Sequence, residues 1–127
     1  MLDRKESAFR LGIEQFNGEE FFAAHETWEA IWLGSSGDDR IFLQGIIQLA
    51  AAFYHWRRGN PQGALSLLRR GLEKLAGSPR SYRGICVERL RQQAAAFAET
   101  LSGGPVDQPV RLPRIELETA PRGGRNP

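Results

Sequence analysis

Apolar residues along this chain recur at spacings of three and four rather than two, a period that belongs to helices. Over residues 3–17, Phe9, Ile13 and Phe16 share one helical face. Asn17-Gly18 ends that helix, with Gly18 expected to take the left-handed backbone common at helix ends. A second helix spans residues 19–33, and Glu19 and Glu20 sit in its first turn, where the helix dipole favours acids. Phe21, His25, Trp28 and Trp32 form its stripe. After the loop Gly34-Ser-Ser-Gly37, Asp38 is the expected N-cap of a third helix over 38–58. Ile41, Phe42, Leu43, Ile46, Ile47, Leu49, Phe53, Tyr54 and Trp56 make that helix apolar on most sides, the pattern of a buried element. Gly59-Asn60-Pro61 then closes one helix, caps the next and supplies proline at its first position. The fourth helix, 61–76, turns Leu65, Leu68, Leu72 and Leu75 inward, and the fifth, 87–101, carries Val87, Leu90, Ala94, Phe97 and Leu101.

Beyond Leu101 the prolines at 105, 109, 113, 121 and 127 forbid a continuous helix. Leu112, Ile115 and Leu117 are expected to dock as an extended segment, and the last half-dozen residues read as disordered. The expected fold is therefore all-α: a compact array of about five helices with a central buried helix at 38–58. The helical domain covers 1–101, and 102–127 is an extended or partly disordered proline-rich tail.

Composition narrows the setting. At 127 residues, with 41% hydrophobic positions, the chain can bury one core without disulfides or metals as staples. A single cysteine, Cys86, allows no intrachain disulfide and fits a reducing compartment. The N-terminal residues mix charges and do not read as a secretory signal. The longest apolar run falls far short of the about 20 residues needed to span a bilayer. The expected location is cytoplasmic, with no membrane association. Formal net charge is only +2, and acids accompany the basic residues, which argues against a nucleic-acid partner. Arg57, Arg58, Arg69, Arg70, Arg80 and Arg83 gather near the ends of helix four, where they read as solvated or dipole-complementing charges. Trp56 beside Arg57 is a candidate stacking pair.

Candidate chemistry lies where polar residues occupy faces that should be apolar. His25 sits within the aromatic stripe of helix two, and Glu29 follows one turn later on the same side, whereas Glu26 points away. On helix three, Arg40, Gln44, Gln48 and His55 fall within a narrow arc. These positions predict a polar cluster between helices two and three, formed by His25, Glu29, Gln44, Gln48 and His55. Such a cluster would bind a small ligand or a partner. The competing reading is structural: a core histidine donating one hydrogen bond, and glutamines satisfied by backbone or water. His25, Glu29 and His55 are candidate ligands for a divalent metal, with Glu26 or Glu29 as general base if the chain were a metal-dependent hydrolase or other metalloenzyme. The metalloprotease pattern is not met, because Glu29 stands where its second histidine belongs. The aromatic residues around helix two also favour homo-oligomer formation.

Two blocks carry a family resemblance. One is Gly12-Ile-Glu-Gln-Phe-Asn17 with Glu20-Phe-Phe-Ala-Ala-His-Glu-Thr-Trp-Glu-Ala-Ile-Trp32. The other is Leu43-Gln-Gly-Ile-Ile-Gln-Leu-Ala-Ala-Ala-Phe-Tyr-His55 with Arg58-Gly-Asn60 and Gly63-Ala64. Together they resemble domain of unknown function family 309, a bacterial and archaeal family, over roughly residues 9–101. The resemblance implies a compact all-helical fold and no established activity. Its matching positions include His25, Glu26, Glu29, Trp32, Gln44, Gln48 and His55. The chain departs at Cys86, where an aspartate is expected; cysteine is a poor N-cap, so the start of helix five is expected to fray by a turn.

Overall fold

A computed structural model describes residues 3–103 and 111–118. Five helices follow one another: α1 (Arg4–Asn17), α2 (Phe21–Trp32), α3 (Gly37–Arg57), α4 (Pro61–Leu75) and α5 (Val87–Leu101). A two-stranded antiparallel ribbon, β1 (Ser81–Tyr82) and β2 (Ile85–Cys86), joins α4 to α5. The fold is all-α but for that ribbon. The earlier expectations for the last half-dozen residues, and for the prolines at 105, 109, 121 and 127, lie outside the described residues.

The 21-residue α3 is the spine. Phe42, Leu43, Ile46, Leu49, Ala50 and Phe53 on it are almost wholly buried, because α2 packs along one side and α4 along another. Two glycines let α3 and α4 close in. A Cβ added to Gly71 would stand 2.9 Å from the Gly45 carbonyl oxygen, and one added to Gly45 would stand 2.9 Å from Leu75. On the other flank the Trp28 indole lies against Gly12 of α1, where a Cβ would come within 2.1 Å of Nε1. That nitrogen donates to the Phe9 carbonyl at 3.1 Å, so the buried indole leaves no donor orphaned. Phe16 joins these layers, edge-on to both Phe21 and Phe53 at 5.3 and 5.9 Å between centroids.

Several inward faces are rotated from those expected. In α2 the buried positions are Phe21, Ala24, Trp28 and Ile31, so Ala24 rather than His25 meets the core, and His25 and Trp32 flank it half-buried. In α4 they are Ala64, Leu68, Gly71 and Leu75, and the close crossing with α3 leaves no room for a Cβ at 71. The Asn60 cap forms as expected, its side chain accepting from the Gly63 amide at 3.0 Å. The expected Asp38 cap does not form: Ser36 occupies the N-cap position, and Asp38 lies in the first turn. Gly18 is not left-handed; its φ is −86°. Glu19 takes that conformation instead, at φ 63°, while its amide bonds the Phe16 carbonyl and the Glu20 amide bonds the Gln15 carbonyl. That is a Schellman closure displaced by one residue, with a glutamate in the glycine slot. Trp56 does not stack on Arg57; it packs edge-on against Phe97 at 5.1 Å, and Arg57 lies over Phe21.

The start of α5 does not fray. The Val87 and Glu88 amides both donate to the Arg80 carbonyl, at 2.8 and 3.1 Å, so the loop residue just before the ribbon satisfies donors that the Cys86 side chain does not. Residues 111–118 run alongside. Ile115 is buried, and the Asn17 side chain clasps its backbone from both ends, at 2.9 and 2.7 Å. Leu112 packs partly against the core, whereas Leu117 stays exposed and pairs with Ile85 through backbone alone.

The ribbon's turn fastens α1 to α3. Arg83 and Gly84 both have positive φ, as a two-residue type I′ turn requires. The Arg83 guanidinium lies 4.2 Å from the Phe9 ring centroid and donates to Glu6 at 3.0 Å, with Asp39 at 3.9 Å. Tyr82 rests on Phe42 and donates its hydroxyl to Asp39 at 2.5 Å. That bond to a carboxylate, with partial burial and the negative charge nearby, raises the phenol from 10.0 to about 12.

Two outcomes follow from this packing. Gly71→Ala lowers stability by about 1–3 kcal/mol through overpacking, despite alanine's better helix propensity. Gly77→Ala, whose added carbon meets nothing within 4 Å, is near neutral in the same denaturant titration; equal stability of the two variants contradicts the glycine crossing. For Tyr82 the folded state holds its proton more tightly than the unfolded chain. Its contribution is therefore complete below pH 10 and declines as pH rises from 10 to about 12. Tyr82→Phe flattens the wild-type fall in urea midpoint across that window; an unchanged slope contradicts the latch.

Candidate functional site

The third side of α3 is covered by nothing else in the described structure. Arg40, Gln44, Gln48, Ala51, Tyr54 and His55 are all half-buried along it, and Ile41 is 49% exposed. The adjoining side of α2 carries half-buried His25 and Trp32 and exposed Phe22, Glu29 and Leu33. Helical spacing explains the strip: 22, 25, 29 and 32–33 on α2, and 41, 44, 48, 51 and 55 on α3, each advance by three or four.

The structure distributes the predicted residues along this strip. The His25 ring stacks on Phe22 with centroids 6.0 Å apart and planes 19° from parallel. Phe22 meets Tyr54 at 5.1 Å, and Tyr54 meets His55 edge-on at 5.6 Å. The two histidines thus flank a pair of aromatic rings. Glu29 is exposed, Glu26 is exposed, and Gln44 and Gln48 are half-buried. Among the described residues, no group of three or more His, Cys, Asp or Glu side chains gathers closely enough to hold a metal ion. His25, Glu29 and His55 are therefore not brought together as a ligand set.

Arg40 has a structural task. Its guanidinium lies 3.8 Å above the Trp32 ring and donates to the Trp32 and Ser35 carbonyls at 3.2 and 3.1 Å, closing the C-terminal end of α2. Three polar atoms on the strip have no such partner: His25 Nδ1, Trp32 Nε1 and Gln48 Oε1 are buried and make no hydrogen bond. A buried polar group left unpaired costs roughly 1–3 kcal/mol, so these three atoms are where an added hydrogen-bond partner would gain most. Sequence reasoning identified His25 and Gln48; Trp32 it read as core. At the α1–α2 end the strip opens into a shallow cleft of about 440 Å³. There Glu19, in its left-handed conformation, forms an ion pair with Arg57, and Phe21, Phe22 and Tyr54 supply apolar wall.

Several of the basic residues near α4 are engaged within the fold. Arg57 pairs with Glu19, Arg80 with Glu88 and Arg83 with Glu6, while Arg58 lies over Tyr54 at 5.5 Å. No helix among the described residues is long and apolar enough to cross a membrane.

Comparison with known proteins agrees with the motif blocks. A protein of Aquifex aeolicus (strain VF5), described as "Uncharacterized protein", is 29% identical over 98 residues, which cover 76% of this chain. The matched region spans only 28% of that relative's length, so the relative contains much that this chain does not. Residues 9–67, from the core of α1 into α4 and including the whole α2–α3 strip, match the model of the family described as Domain of unknown function (DUF309); the match takes in both motif blocks and stops short of the residue 101 expected from the resemblance.

Proposed function

We propose that this chain is a small helical module that works by binding rather than by catalysis, and that its working face is the α2–α3 strip, which takes a second copy of the chain. The observation that carries this reading is the trio of buried, unpartnered polar atoms on His25, Trp32 and Gln48, bordered by exposed Phe22, Leu33 and Ile41. Polar atoms closed off from water and from the chain itself gain most when an associating surface reorganises them into hydrogen bonds.

Charge favours a second copy as occupant, on a face that supplies part of a standard interface. The 12 and 21 residues of α2 and α3 give lengths of about 18 and 32 Å at 1.5 Å per residue, and two helices about 10 Å wide present a face of several hundred Å². A standard interface buries about 800 Å² per partner. Glu26 and Glu29 on α2, and Arg58 at the end of α3, form no ion pair among the described residues. A two-fold axis can place Glu29 of one α2 opposite the basic end of the partner's α3, the self-complementarity an isologous dimer needs. We place the assembly in the cytoplasm, where the free, half-buried Cys86 stays reduced. No observation favours the metalloenzyme reading, since the histidines and Glu29 do not converge.

Light scattering across a concentration series tests this directly. The wild type gives twice the 14.2 kDa chain mass, and Phe22→Glu gives the monomer mass with its fold intact, because the half-exposed ring contributes little to monomer stability. A wild type that is monomeric throughout, or a dimer indifferent to Phe22→Glu, overturns the assignment.

A further inference from the structure

A second cavity lies away from the strip, between the C-terminal half of α4, the loop before β1 and the first turns of α5; its volume is about 380 Å³, within the range of small-ligand sites. Leu72 and Ala95 form apolar wall, and Ser78, Arg80, Glu88 and Arg91 bring polar groups to it. Glu88 is already engaged: Arg80 forms an ion pair with it, and the Gln92 amide donates to it at 3.4 Å. Arg91 is left without an acid within ion-pair distance among the described residues, and its Nε is buried with no hydrogen-bond acceptor. An arginine cannot shed its charge to escape that position, because guanidinium stays protonated at any ordinary pH. Its N–H groups stand in a fixed fork, which matches the paired oxygens of an oxyanion.

We propose that this cavity is a binding site for a small organic phosphate. Arg91 from α5 and Arg80 from the loop reach the cavity from different elements, an arrangement suited to a tetrahedral dianion with several acceptor oxygens rather than a planar carboxylate. The Ser78 hydroxyl adds a third donor. Leu72 and Ala95 take a short apolar body attached to the phosphate. Glu88 limits the excess positive charge, so that binding depends on the directed donors instead of on a general basic field. The site stands independently of the α2–α3 face.

Two-dimensional 1H–15N spectra of the full chain, titrated at constant ionic strength with inorganic phosphate, n-butyl phosphate and butyrate, test it. The Arg91 Nε–Hε signal and the Ser78 amide shift saturably with both phosphates, and n-butyl phosphate binds more tightly than inorganic phosphate. Butyrate binds more weakly than either. Arg91→Gln weakens n-butyl phosphate roughly tenfold or more, as expected for losing hydrogen bonds to a charged group, while signals outside the cavity stay in place. Arg80→Gln, at an exposed side chain that poses no threat to folding, weakens it in the same direction. Absence of saturable shifts with either phosphate, or shifts that survive both substitutions, overturns the site. Butyrate binding as tightly as n-butyl phosphate overturns the phosphate assignment.

Discussion

Everything in this fold is arranged around how closely α4 can approach α3. The Gly45–Gly71 crossing brings the two backbones to a separation that no side chain could share, and Leu49 and Leu75 close over it. With α4 held there and α2 held on the other flank by the aromatic layer of Phe16, Trp28 and Phe53, α3 is enclosed on two sides and left open on the third. The half-buried polar strip is the geometric remainder of that enclosure. Its residues are half-buried, and three of their atoms make no hydrogen bond within the described residues.

The surrounding elements serve the same spine. Arg83 and Tyr82 bind the ribbon's turn to Glu6, Phe9, Asp39 and Phe42, which fixes the start of α3 relative to α1. Asn17 clasps Ile115, drawing residues 111–118 across the α1 end and the ribbon. Arg40 closes the end of α2. The first two join segments distant in sequence through one or two directed polar groups, and all three leave the outer side of α2 and α3 uncovered.

Much of this was legible in the residues. The 3.6-residue period, the Gly59-Asn60-Pro61 punctuation and the apolar density of residues 41–56 locate the helices and single out α3. The placement of His25, Gln44, Gln48 and His55 along one side follows from the same period. What periodicity could not supply was rotation by one residue, which buries Ala24 and leaves His25 at the core's edge. Nor could it assign the left-handed position, because Gly18 and Glu19 are both admissible until the hydrogen bonds to Gln15 and Phe16 are counted. The β1–β2 ribbon has strands of two residues, too short for any alternation. The metal reading failed to gain support for a spatial reason: residues four apart on α2 share a side, but His55 meets Tyr54 and not His25. The α4–α5 cavity could not be foreseen because a loop contributes two of its polar residues, Ser78 and Arg80.

The central claim is that the α2–α3 strip keeps polar atoms buried at a cost to the isolated chain. Gln48→Met tests it most directly, since methionine fills a similar volume and removes the unpartnered amide oxygen. Measured by denaturant unfolding at concentrations where the chain is monomeric, the variant is predicted to be more stable than the wild type by about 1–3 kcal/mol. A loss of stability of that size would mean that Gln48 is already satisfied within the fold, and the strip would then be ordinary core edge rather than a face awaiting a partner.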